Sequence, residues 1–119
     1  MKIELKLNND SIIAVNELLS YIYDMERSND KKVNVYRSIG YDLADKFDSK
    51  AKQLVKKATL FDSKKKHKIT LKYHEAWALE IILRELFTYT DNHYVRLRVN
   101  LVIDDLNQKL AWQQQFITQ

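Results

Sequence analysis

The chain lacks cysteine and proline, and Gly40 is the one glycine among its 119 residues. Without cysteine there can be no disulfide, no thiolate metal site and no cysteine nucleophile. One glycine cannot supply a GxGxxG or a GxxxxGK[ST] loop, because these phosphate-binding loops need several glycines for the backbone to approach the ligand. The scarcity of these turn-forming residues favours long helices over a many-stranded sheet.

Long apolar runs are also missing. The stretch "MKIELKLNND" alternates charged and apolar residues, so we do not expect a secretory signal. No window approaches the roughly 20 apolar residues that span a bilayer. We therefore expect a cytoplasmic protein with no membrane partner. The chain length and the hydrophobic fraction of 45% are those of one folded domain, spanning 1–119.

Hydrophobic periodicity predicts two strands and four helices. The strand positions that alternate and point inward are Ile3, Leu5, Leu7, Ile69, Leu71 and Tyr73. The first predicted helix starts at Ile12, and the second runs from about Asn34 to about Ala58. The third starts at His74 or Glu75, and the fourth runs from about Asn92 to about Gln115. Gly40 falls inside the second helix, where it permits a close helix crossing or a bend.

The predicted fold class is α+β, predominantly helical, in the order β-α-α-β-α-α, with a small two-stranded sheet packed on the helices. The alternative is an all-α bundle with short strand extensions. Residues 94–103 also alternate like a strand, so the first half of the last helix has a strand as its alternative.

The pattern Lys-Ile-x-Leu-Lys-apolar occurs at Lys2 and again at Lys68. A shift of 66 residues aligns Ile3 with Ile69, and a strand-helix-helix repeat then covers 1–63 and 64–119. The matched residues are common ones, so a shared origin of the halves stays open. A lone two-stranded sheet is marginal in water and has free edges. Pairing of two copies into a homodimer would cover an edge, whereas outer lysines would keep the protein monomeric.

Lysine is concentrated in one segment. Residues 46–72 hold ten lysines against two aspartates, a net charge of +8. The candidate residues for binding phosphates or an acidic partner are Lys46, Lys50, Lys57, Lys64, Lys65, Lys66, Lys68 and Lys72. The alternative is a solvated surface, in which Asp42–Lys46 and Asp48–Lys52 pairs neutralise part of the charge. The segment contains no arginine, the usual base-reading side chain.

Two smaller features are candidates for binding. Arg84, Arg96 and Arg98 predict a second basic site. Trp112 and Phe116 predict a contact with a partner protein, because aromatic residues are enriched in interface cores. The alternative for Trp112 is that it seals the domain near its end.

No reaction chemistry is apparent in the sequence. The three histidines have no metal-ligand spacing such as HExxH, and the Asp104–Asp105 pair is better explained by an Asp105–Lys109 ion pair than by catalysis. We predict no catalytic residue, metal site or cofactor. The leading prediction is a non-enzymatic protein that binds another protein, with a homodimer as one option. The alternative is a nucleic-acid-binding accessory protein that uses residues 46–72 on phosphates.

Overall fold

The structure, a computed structural model, describes residues 1–57 and 65–118, and all of their side chains except those of 57 and 114–118. Its strands and helices are β1 (Lys2–Asn8), α1 (Asn9–Leu19), α2 (Lys31–Lys57), β2 (Lys66–Lys72), α3 (Tyr73–Leu86) and α4 (His93–Thr118). Short 3₁₀ segments, Ser20–Asp24 and Phe87–Tyr89, follow α1 and α3. The predicted α+β fold and its element order are confirmed. Among the described residues, no helix is long and apolar enough to cross a membrane.

The two strands form one antiparallel pair. Ile3 lies opposite Leu71 and Leu5 lies opposite Ile69, and these side chains are buried. Tyr73 was predicted to continue the inward row of β2. It does pack against the core, but its place in the strand is wrong, because Tyr73 is the first residue of α3. The N–H of Lys72 donates to Glu75 Oε1 at 2.8 Å, which caps the helix and ends the strand at Lys72.

Polar side chains start the other helices. Asn8 Oδ1 accepts from the N–H of Ser11 at 2.9 Å at the start of α1. Asp30 Oδ1 accepts from the N–H of Lys32 at 2.8 Å, so α2 starts a few residues before the predicted Asn34. Asn92 Oδ1 accepts from the N–H of Tyr94 at 2.9 Å at the start of α4. The predicted end of the second helix at Ala58 lies outside the described residues.

Residues 94–103 are helical, and the strand alternative for them is wrong. The reason lies in which row of α4 packs on the core. The buried row is Val95, Val99, Val102, Leu106 and Leu110, at helical spacing.

Buried positions recur between the two halves of the chain. Those of α1 and its 3₁₀ segment recur 64 residues later in α3, as Ile12/Ala76, Ala14/Ala78, Val15/Leu79, Leu18/Ile82, Leu19/Leu83 and Ile22/Leu86. Those of α2 recur 59 residues later in α4, as Tyr36/Val95, Gly40/Val99, Leu43/Val102, Ala44/Ile103, Phe47/Leu106 and Ala51/Leu110. The strands also lie 64 residues apart, rather than the 66 that the lysine–isoleucine match suggests. A common origin of the halves stays a prediction.

Gly40 lies where α2 crosses α3 and the first 3₁₀ segment. A Cβ at this position would collide with the Cδ1 atoms of Ile82 and Ile22. The close crossing expected of this glycine is therefore present. Its counterpart in α4 is Val99, which is fully buried.

Candidate protein-interaction surface

The outer face of the sheet is rich in lysine. Lys2 lies directly opposite Lys72 and Lys6 lies directly opposite Lys68. We define the lysine face as the five exposed lysines Lys2, Lys6, Lys66, Lys68 and Lys72. Like charges directly opposite each other destabilise a sheet. A Glu4–Lys68 ion pair of 3.0 Å offsets part of this repulsion. The remaining positive charge attracts anionic groups.

The lysine face contains three of the predicted lysines, Lys66, Lys68 and Lys72. Lys2 and Lys6 were missed, because they lie 60 or more residues away in sequence. Their signal is the strand register, which places them opposite β2 lysines.

The remaining predicted lysines have different settings. Lys46 and Lys50 line a groove of about 260 Å³ between α2 and the edge of β2. Lys46 Nζ donates to the carbonyl of Thr70 at 3.2 Å, so the predicted Asp42–Lys46 pair is wrong. Lys65 is exposed just before β2. Neither the side chain of Lys57 nor any part of Lys64 is among the described residues.

The predicted Asp48–Lys52 pair is confirmed at 2.9 Å. The hydrogen bond from Lys52 lowers the pKa of the Asp48 carboxyl, and the same bond raises the pKa of the Lys52 ammonium. Both side chains are exposed, so this pair contributes little to folding.

The outward side of α4 carries a second row of apolar side chains. We define the α4 apolar row as Tyr94, Leu97, Leu101 and Trp112, which are 49%, 58%, 54% and 58% exposed. The positions 59 residues earlier on α2 are Val35, Ser38, Asp42 and Gln53. Single exposed apolar residues are ordinary, whereas several on one side of a helix form a candidate contact surface. Trp112 is too exposed to seal the domain, and the Phe116 side chain lies outside those described.

A groove of about 770 Å³ runs between β1 and α4. Lys2 and Lys6 line its β1 side, and Leu101, Val102 and Trp112 line its α4 side. The groove therefore joins the lysine face to the α4 apolar row. Its volume is within the range of binding clefts.

Lysine side chains contact the backbone at both edges of the sheet. Lys109 Nζ donates to the carbonyl of Glu4 at 2.6 Å, and Lys46 Nζ donates to the carbonyl of Thr70 on β2 at 3.2 Å. The predicted Asp105–Lys109 ion pair is confirmed at 3.1 Å. Because each carbonyl accepts from a lysine of a flanking helix, we infer that both point away from the partner strand and that Glu4 and Thr70 form a non-hydrogen-bonded pair of the sheet.

The three arginines of the predicted second basic site have separate partners. Arg84 pairs with Glu80 on α3 at 3.1 Å. Arg96 Nε donates to the carbonyl of Thr90 at 2.7 Å, which ties α4 to the connection before it. Arg98 stacks over the Tyr94 ring at 5.3 Å and lines the groove. Residues two apart in a helix point about 200° apart, so Arg96 and Arg98 do not form one patch.

A polar cluster links α2 to α3. Tyr36 donates a hydrogen bond to Glu85 Oε1, and Arg37 lies 4.0 Å from Glu85 Oε2. Burial, followed by the hydrogen bond to Glu85, raises the pKa of Tyr36 to about 12. The Tyr36 ring also packs edge-on against Trp77 at 6.1 Å. A tyrosine held neutral in this way links two helices and is a poor nucleophile.

Two further observations concern the histidine and carboxylate side chains. Within residues 1–57 and 65–118, no group of three histidine or carboxylate side chains is placed to hold a metal ion. Asp104 is exposed on α4.

Comparison with protein families, curated proteins and solved structures gives no match for this chain. A functional proposal therefore depends on the surface described above.

Proposed function

We propose that the protein is a non-enzymatic binding module for an acidic protein segment, which it holds on the lysine face and the α4 apolar row. The observation that carries this proposal is the direct pairing of Lys2 with Lys72 and of Lys6 with Lys68 beside an exposed apolar row. Such pairing costs stability, and a bound carboxylate would offset that cost. Apolar side chains next to the charge add contact area, as in the cores of protein interfaces.

Nucleic acid is the alternative ligand, since the lysine face would also attract phosphates. Two observations rank it second. The outer positions of the sheet hold lysine, glutamate, threonine and asparagine, and no aromatic ring on which a base could stack. The α4 apolar row has no counterpart on a sugar–phosphate backbone. A second copy of this chain ranks lower as well, because it would bring the same excess of lysine.

The experiment compares ligands and variants by fluorescence anisotropy at about 50 and 150 mM salt. The probes are a labelled peptide of alternating glutamate and valine and a labelled DNA duplex. We expect the peptide to bind. The double variant Lys2→Gln, Lys6→Gln should bind it with about tenfold lower affinity. The matched control, Lys31→Gln with Lys32→Gln, removes two exposed lysines from the start of α2 and should change binding less than about twofold.

The proposal is overturned if the duplex binds more tightly than the peptide at the higher salt. It is also overturned if both double variants weaken peptide binding equally, because net charge alone would then explain the affinity. Light scattering on the same samples tests the second copy as occupant. A dimer that the peptide cannot dissociate would contradict the proposal.

A further inference from the structure

We infer, on the basis of the proposed function, that the acidic segment binds as an extended strand added to the outer edge of β1, in the groove between β1 and α4. The segment would carry acidic side chains on one face and apolar side chains on the other. Strand addition of this kind gives affinity through backbone hydrogen bonds and specificity through alternate side chains.

The backbone of β1 is oriented for such pairing. The carbonyl of Glu4 points out of the sheet, since it accepts from Lys109 on α4, and an added strand would replace Lys109 as its donor. Backbone groups of an antiparallel strand alternate between its two sides, so those of Lys2 and Lys6 point to the same outer edge. β1 has seven residues and is about 23 Å long, enough for a segment of similar length.

The two faces of an added strand would meet different surroundings. Side chains on the outer face of the sheet would lie beside Lys2 and Lys6, which favours glutamate or aspartate there. Side chains on the inner face would point towards Leu101 and Val102 on α4, which favours apolar residues. The expected segment therefore alternates acidic and apolar residues.

The charges that line the groove favour an acidic occupant. They are the cations Lys2, Lys6, Lys66, Arg98 and Lys109, against the acids Glu4 and Asp105. Glu4 is already paired with Lys68 and Asp105 with Lys109. An incoming carboxylate would thus meet mainly cations, and a basic segment would be repelled.

The edge of β2 has a similar arrangement but a poorer lining. Its groove holds about 260 Å³, against about 770 Å³ beside β1. Where α4 presents Leu101 and Trp112, α2 has Asp42 and Gln53. Either edge has the positive charge to attract an acidic segment. At the edge of β1 the neighbouring helix also presents these apolar side chains, which match a segment that alternates acidic and apolar residues.

The test uses the N-acetylated, C-amidated peptide Glu-Val-Glu-Val-Glu-Val-Glu and two methylated forms. In the inferred pose the added strand runs antiparallel to β1. The glutamate N–H groups then point to β1, because their side chains share the outer face with Lys6. N-methylation of the second, third and fourth glutamates would block three of these bonds. N-methylation of the three valines removes N–H groups that point away and is the matched control.

We expect N-methylation of the glutamates to weaken binding by about tenfold or more, and N-methylation of the valines by less than about threefold. Equal affinity of all three peptides would overturn strand addition and leave the proposed function standing. If the unmodified peptide fails to bind at about 1 mM, both are overturned.

A protein variant gives a second readout. Leu101→Asp places on α4 the residue that α2 has at the equivalent position. It should lower the affinity for the unmodified peptide about tenfold. Val55→Asp changes an α2 residue that is 69% exposed and should leave the affinity unchanged. Circular dichroism confirms that both variants are folded. Equal affinities for Leu101→Asp and wild type would contradict docking between β1 and α4.

Discussion

The groove beside β1 and the groove beside β2 share one plan and differ in their lining. In each, a helix lies beside a strand edge and a lysine from that helix donates to a carbonyl of the strand, with Lys109 at Glu4 and Lys46 at Thr70. The two lysines are not counterparts in sequence, since the residue 59 positions before Lys109 is Lys50. The buried positions of α2 and α4 also match one for one at an offset of 59. The difference lies outside the core, where α4 exposes apolar residues and α2 exposes mostly polar ones. This contrast shows that the two halves share their buried positions and differ in the side chains that they expose beside the sheet.

The largest expected effect concerns the shared core. Phe47 on α2 and Leu106 on α4 occupy equivalent buried positions. We expect Phe47→Ala and Leu106→Ala each to lower the free energy of unfolding by about 3 to 4 kcal/mol, because each leaves a cavity. Urea denaturation measures both. A cost below about 1 kcal/mol for one of them would break the equivalence of the halves.

The second largest effect on the free energy of unfolding concerns Tyr36, whose counterpart in α4 is Val95. Below pH 10 we expect Tyr36→Phe to cost about 2 kcal/mol, because Glu85 loses a hydrogen bond donor. The pKa of Tyr36 is raised to about 12 in the folded state, so the stabilisation is complete below the unfolded pKa of about 10 and is lost as the pH rises towards 12.

Urea titrations of wild type and Tyr36→Phe between pH 8 and 12 measure that dependence. The difference between their unfolding free energies should shrink above about pH 10. Titration of the other tyrosines and lysines is common to both proteins and cancels in the difference. A constant difference across this range would contradict the role given to Tyr36.

A smaller effect concerns Gly40, whose counterpart is Val99. Gly40→Ala gains about 1 kcal/mol of helix propensity, but the new methyl group collides with Ile82 and Ile22. We expect a net loss of about 1 kcal/mol in the free energy of unfolding. Adding Ile82→Val removes one colliding Cδ1 atom, so a double-mutant cycle should show favourable coupling. Additive costs would mean that the crossing tolerates the methyl group.

The smallest effect tests whether the lysine face costs stability. Lys72→Glu places a carboxylate opposite Lys2, and we expect it to raise the free energy of unfolding by about 0.5 kcal/mol. The same change should lower the affinity for the acidic peptide, because the lysine face loses positive charge. Lys32→Glu on α2 is the control. Loss of stability in Lys72→Glu would show that the opposed lysines are not strained.

Periodicity predicted most of the fold, since long amphipathic segments almost free of glycine and proline have few ways to bury their apolar rows. The site was harder to predict. On α4, both the row from Val95 and the row from Tyr94 are apolar, and packing alone decides which one is buried. Strand pairing was predicted without a register, so the contribution of Lys2 and Lys6 to the lysine face could not be inferred. Tyr73 was misplaced because a helix cap overrides alternation at a strand end.

Backbone amide hydrogen exchange, with and without the alternating glutamate–valine peptide, tests the central claim most directly. The account predicts that the amides of Glu4 and Lys6, on the outer edge of β1, gain protection while that of Thr70, on the outer edge of β2, does not. Equal protection at both edges, or protection at β2 alone, would contradict it.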